Sequence, residues 1–165
     1  MTTANVIGRD HPDSRARPMV TANVSPVEVL EKYRTIAVVG ASKNPEKEAY
    51  SVPRYLKDHG YRIVPVNPTA TEIMGETAYR SLLEIPEAVG RMVEVVEVFR
   101  PSEELPQVAL QAAEMKRRLG RPLVFWAQQG LESEEAKRTL EANGIRYVMD
   151  ACMRTVHQIR VRKTA

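Results

Sequence analysis

The chain has one cysteine, Cys152, in 165 residues. A single thiol excludes an intramolecular disulfide and any zinc site built from several cysteines, and it suits a reducing compartment. Long apolar runs are missing too. No window reaches the roughly 18 consecutive apolar residues that a membrane-spanning helix needs. Residues 1–10 lack the basic-then-apolar stretch and small-residue cleavage site of a secretory signal, so a cytoplasmic protein is expected. The body of the chain also lacks a positive excess. Residues 25–153 carry 17 Lys and Arg against 19 Asp and Glu, while residues 1–24 add +1 and residues 154–165 add +4. The isoelectric point near 9.1 therefore belongs to the ends. Arg154, Arg160, Arg162 and Lys163 near one terminus offer only weak, sequence-blind attraction to nucleic acid. Neither a specific nucleic-acid partner nor a membrane is expected.

What is present is ordinary globular material, 43% hydrophobic and 27% charged, in a length that suits one domain. Residues 1–22 are polar, contain Pro12 and Pro18 and show no periodicity, which reads as a flexible extension. Residues 23–160 read as the folded domain and 161–165 as a basic tail. Ser25-Pro26-Val27-Glu28 has the order of a helix start, with a capping hydroxyl followed by proline at the first helical position. Five apolar runs follow, at residues 36–40, 62–66, 92–99, 123–126 and 146–149. Helical patterns separate them. One repeats Val108, Ala109, Ala112, Met115 and Leu119 before Gly120, and another opens at Ser133-Glu134-Glu135 and ends at Asn143-Gly144. The face bearing Val108, Met115 and Leu119 suits a core or a homodimer seam equally.

Alternation of strands with helices predicts an α/β fold, a doubly wound parallel five-stranded sheet with helices on both faces and strand order 3-2-1-4-5. In that order the third strand is an edge, which would account for Glu94 and Glu97 interrupting its valines. Ligands of such sheets bind at the carboxyl ends of the strands. After the first strand stands Gly40-Ala41-Ser42-Lys43-Asn44-Pro45, where a dinucleotide fingerprint would require glycine at positions 42 and 45. Pro53 pushes the next helix start to about Ala49, because proline is tolerated only in a first turn. That leaves a long loop whose N–H groups, Ser42, Lys43 and Lys47 are suited to phosphate, with a solvated loop as the competing view. The second strand ends Val66-Asn67-Pro68, without the acid that would bind ribose hydroxyls. The third ends Phe99-Arg100-Pro101, the fourth runs into Gln128-Gln129-Gly130, and Asp150-Ala151-Cys152 follows the fifth.

These runs, with Glu72-Ile73-Met74-Gly75, Tyr79-Arg80-Ser81-Leu82 and Ile85-Pro86 in the same order and spacing, resemble the small stand-alone CoA-binding proteins of the succinyl-CoA synthetase α-subunit N-domain type. The resemblance covers about three quarters of the chain. It implies a Rossmann-like fold binding coenzyme A, or an acyl-CoA, across the strand ends. Gly40, Ala41 and Ser42 would then lie against the diphosphate, and Val66, Asn67 and Pro68 beside the adenosine. Phe99, Arg100 and Pro101 would line the same cleft, with Gln128 and Gly130 toward the pantetheine. Sign and position add Lys43, Lys47 and Arg54 as phosphate partners. The chain departs from the synthetase in having no lysine closely after Val66-Asn67-Pro68. None of His11, His59 and His157 matches a phosphohistidine.

The leading expectation is a CoA binder without a catalytic domain, a carrier or regulatory module, since no nucleophile and base stand together. Two alternatives remain open. One is redox protection of CoA through a mixed disulfide at Cys152, against an inert buried thiol. The other is an NAD(P)-type nucleotide-binding enzyme.

Overall fold

A computed structural model describes residues 21–161. Residues 1–20 and residues 162–165, all of the expected basic tail but Val161, lie outside the described residues. The elements are β1 (Thr21–Ala22), α1 (Pro26–Lys32), β2 (Thr35–Val39), α2 (Glu48–Asp58), β3 (Arg62–Val66), β4 (Glu72–Ile73) and β5 (Glu76–Thr77). They continue with α3 (Glu87–Gly90), β6 (Val95–Val98), α4 (Leu105–Leu119), β7 (Val124–Ala127), α5 (Glu134–Ala142), β8 (Arg146–Met149) and α6 (Met153–Val156). Short 3-10 turns cover Leu82–Glu84 and Ser102–Glu104, and a π-helical turn covers His157–Val161.

The helix boundaries follow local chemistry. Ser25 Oγ accepts the Glu28 N–H at 3.2 Å with Pro26 leading α1, and Ser133 Oγ accepts the Ala136 N–H at 3.1 Å to start α5. Gly120, at φ 75°, closes α4. Pro53 lies inside α2, one turn after its start at Glu48. Lacking an N–H, it leaves the Ala49 carbonyl without its helical donor, and the Ser42 N–H reaches that carbonyl at 3.2 Å instead. A helix-breaking residue thereby anchors the loop before the helix.

The main sheet has six strands in the order β1-β8-β7-β6-β2-β3. The five long strands are parallel, and β1 adds antiparallel to the edge of β8 through Thr21↔Met149 and Ala22↔Val148. Numbered by the five strands expected, the order is 2-1-3-4-5, which corrects 3-2-1-4-5. The third strand is central, not an edge, because β6 pairs in parallel with β2 on one side and β7 on the other, and its residues Val95, Val96, Glu97 and Val98 are all buried. The two glutamates misled for separate reasons. Glu94 precedes the strand and its Oε1 accepts the N–H groups of Arg34 and Thr35 at 2.8 and 3.2 Å, while Glu97 is fully buried.

The sixth strand corrects the N-terminal boundary at its last two residues. Two residues carry no periodicity, yet Thr21 Oγ1 donates to Glu132 Oε2 at 2.9 Å and Asn23 exchanges hydrogen bonds with Tyr147. Arg154, one of the four cations near the C-terminus, belongs to the fold: it sits half-buried on α6 and donates to Ser51 Oγ.

Two apolar layers enclose the sheet. On one face Ala37, Val64, Val96 and Phe125 meet Leu105, Ala109 and Ala112 of α4 and Leu140 of α5. On the other, Ile36, Ile63, Val95 and Trp126 meet Leu30 of α1, Val52 and Leu56 of α2, and Met153 of α6. Val108 and Met115 belong to the first layer, with Leu119 packed against it, so that helix face serves the chain's own core rather than a dimer seam. Among the described residues no helix is long and apolar enough to cross a membrane.

Candidate functional site

The corrected strand order decides where a ligand can sit. From β2 the chain leaves to α2 on one face of the sheet, and from β6 it leaves to α4 on the other. The crevice between these diverging loops is the switch point at which doubly wound sheets bind ligands. Gly40 ends β2 there, with φ 88°, in the left-handed region that glycine tolerates. A Cβ on Gly40 would lie 2.9 Å from the Phe99 carbonyl oxygen and 3.0 Å from Arg100 Cδ, so the two strand ends approach as closely as backbone allows.

A cleft of about 250 Å³ opens beside this crossing. Its apolar wall is Val39, Val66, Val108 and Pro68, and its polar groups are Ser81, Gln107 and Gln111 together with Arg80, Arg100 and Glu104. Arg100 Nε and Nη2 both reach Glu104 Oε1 at 2.9 Å, which holds that guanidinium at the rim. Four of the residues expected from sequence are brought together in this cleft: Gly40, Val66, Pro68 and Arg100. Arg80, Ser81, Gln107 and Gln111 were missed. The run Tyr79-Arg80-Ser81-Leu82 was visible, but only a parallel bridge between Val66 and Tyr79 carries it to the end of β3.

The other expected residues are placed differently. Asn67 is structural in this arrangement: its Nδ2 donates to the Ala41 carbonyl at 2.9 Å, and its Oδ1 accepts the N–H groups of Thr69 and Ala70, both at 2.8 Å. Replacing Asn67 with alanine removes the acceptor of the Thr69 and Ala70 N–H groups and the donor to Ala41, and unties the two loops. A stability loss of about 2 kcal/mol by urea denaturation is expected, and one below about 0.5 kcal/mol would refute the tie. The N–H groups of Gly40 and Ala41 donate to the Val66 carbonyl and that of Ser42 to Ala49. Those three donors are therefore engaged within the fold, whereas Lys47 caps α2 with no side-chain bond to its first turn. Lys43, Lys47 and Arg54 are exposed outside the cleft, Arg54 pairing with Asp58 at 3.3 Å. Phe99 packs against the α2 side of the core, and Pro101 opens the 3-10 turn before α4.

At the far strand ends Gln128 Oε1 accepts the Met153 N–H at 3.2 Å, and the Gly130 N–H donates to Asp150 Oδ1 at 2.6 Å. These bonds join β7 to β8 and start α6. Cys152 is buried at the head of α6 and does not line the cleft. Near it, Glu97 is fully buried, and neither of its carboxyl oxygens finds a hydrogen-bond partner. Burial pushes the Glu97 carboxyl well above the ordinary carboxylate range, and Cys152 adds in the same direction. Among the described residues no group of His, Cys, Asp and Glu could hold a metal ion.

Comparison with known proteins shows what the chain is similar to. The family model described as CoA binding domain matches residues 34–158. The uncharacterized protein YneT of Bacillus subtilis is 41% identical over 132 residues, 80% of this chain and 91% of its own length. A solved structure from Thermus thermophilus, cell-free ID.343, superposes with a TM-score of 0.71 at 35% identity, covering 82% of this chain and 98% of that one. The alpha subunit of the ADP-forming acetate–CoA ligase II of Pyrococcus furiosus is 35% identical over 106 residues, 64% of this chain but 22% of that subunit. The chain therefore belongs to the CoA binding domain family.

Proposed function

We propose that the chain binds coenzyme A or an acyl-CoA across the carboxyl ends of β2, β3 and β6, acting as a carrier or regulatory module. The observation that carries this reading is the glycine crossing at the switch point, where Gly40 presents bare backbone beside an apolar-walled cleft. A cleft of about 250 Å³ is below the usual range for a drug-sized ligand, so it holds one end of a long molecule. The adenosine end suits it. Val66 and Pro68 offer a flat apolar surface, and the diphosphate passes over Gly40 toward the uncapped start of α2, where Lys43 and Lys47 add positive charge.

The mixed-disulfide reading is not favoured, since Cys152 packs among Ala151, Met153 and Trp126 in the core. Isothermal titration with CoA and NAD tests the proposal. Saturable one-to-one binding of CoA with at least tenfold weaker NAD binding is expected. A preference for NAD, or no heat with CoA at high protein concentration, would overturn it.

A further inference from the structure

In doubly wound nucleotide folds, the end of the second parallel strand reads the ribose. An acid there binds the free hydroxyls, whereas a nearby arginine accommodates a phosphorylated ribose. Here that strand is β3, and its end offers no acid. Asn67 cannot replace one, because its amide is engaged with Ala41, Thr69 and Ala70. The chain instead delivers a cation. The bridge Val66↔Tyr79 is locked by the Tyr79 N–H donating to Pro65 at 3.0 Å and the Asn67 N–H donating to Tyr79 at 2.8 Å. The next two residues, Arg80 and Ser81, are thereby set on the cleft beside Pro68.

The charge balance singles out Arg80. The one carboxylate among the cleft-lining residues is Glu104, which is paired with Arg100. Arg80 is exposed and has no hydrogen-bond or ion-pair partner among the described residues. An unneutralised guanidinium beside a hydroxyl matches a dianionic phosphomonoester, which accepts two parallel N–H donors and one O–H donor. We infer that Arg80, with Ser81, holds a phosphate on the ribose of the bound nucleotide and so selects CoA over dephospho-CoA. This rests on the CoA reading above. It replaces the cation missing after Asn67-Pro68 with one from a segment distant in sequence.

Titration calorimetry of the full chain with CoA, dephospho-CoA, adenosine 3′,5′-bisphosphate and AMP tests it. The wild-type protein prefers each 3′-phosphorylated ligand over its partner by about tenfold or more, the size of one charge-assisted contact. Arg80→Met loses that preference and keeps its dephospho-CoA affinity within threefold, while Arg138→Met, an exposed arginine on α5, retains the preference. Equal binding of CoA and dephospho-CoA by the wild type, or a preference that survives Arg80→Met, overturns the assignment. A protein that ignores both CoA forms but prefers the bisphosphate through Arg80 keeps this phosphate site and loses the CoA reading. One that binds none of the four loses both. Inorganic phosphate, as a competitor, distinguishes a nucleotide site from simple anion attraction: it displaces CoA only at concentrations far above that of the nucleotide.

Discussion

Gly40→Ala lowers the stability of the domain by about 2–5 kcal/mol and weakens CoA binding at least tenfold. Two costs combine. A residue with a Cβ at φ 88° is strained by about 1–2 kcal/mol. Its Cβ also meets the Phe99 carbonyl oxygen at 2.9 Å, a backbone atom that cannot rotate away, so the end of β6 must move at the further cost of overpacking, about 1–3 kcal/mol. Moving Phe99 also moves Arg100 at the cleft rim. Gly60→Ala is the matched control, since Gly60 has φ 94° but nothing within 4 Å of an added Cβ. It shows only the conformational cost. Chemical denaturation of both variants decides the matter, and equal losses at the two positions would show that the crossing is not tight.

Removing the Glu97 carboxyl stabilises the protein at neutral pH. In the folded state burial keeps Glu97 protonated far above the ordinary carboxylate range, while in the unfolded chain it ionises normally. Below the unfolded pKa both states hold the proton and Glu97 contributes no pH dependence. Between the unfolded and the raised folded pKa the folded state binds more protons, so stability falls as pH rises, by up to about 1.4 kcal/mol per pH unit. Glu97→Gln removes this slope, so the difference between variant and wild type widens from pH 5 to pH 8. Glu97→Met additionally removes the two unpartnered oxygens and gains about 1–3 kcal/mol. Denaturation midpoints across that range provide the measurement. Parallel pH profiles for wild type and Glu97→Gln would mean that Glu97 is not held protonated by the fold. CoA affinity stays unchanged in both variants, because Glu97 lies outside the cleft.

Glu97 also shows where sequence patterning stops. A glutamate between valines reads as solvent exposure, since a carboxyl is rarely buried without a partner. That inference put the third strand at the edge. The pairing of β6 with both β2 and β7 reverses it. Asn67 and Cys152 show the same limit in the site. Both residues stand at strand ends, but one ties the fold together and the other packs into it. Arg80 is the converse, a residue in a visible run whose position depends on a bridge to a strand thirteen residues earlier.

By itself the sequence determined the alternation of strands and helices, their caps, the parallel α/β class and the family, since each of these rests on local periodicity, turn residues or the order of short runs. The one cysteine and the displaced positive charge likewise set its limits without any structure. Only the tertiary structure decided which strand is central, which glutamate is buried and which arginine beside the cleft has no partner among the described residues. Those outcomes depend on pairing between distant segments, where β6 inserts beside β2 and Tyr79 bridges Val66. No local pattern encodes which neighbours a strand end will have.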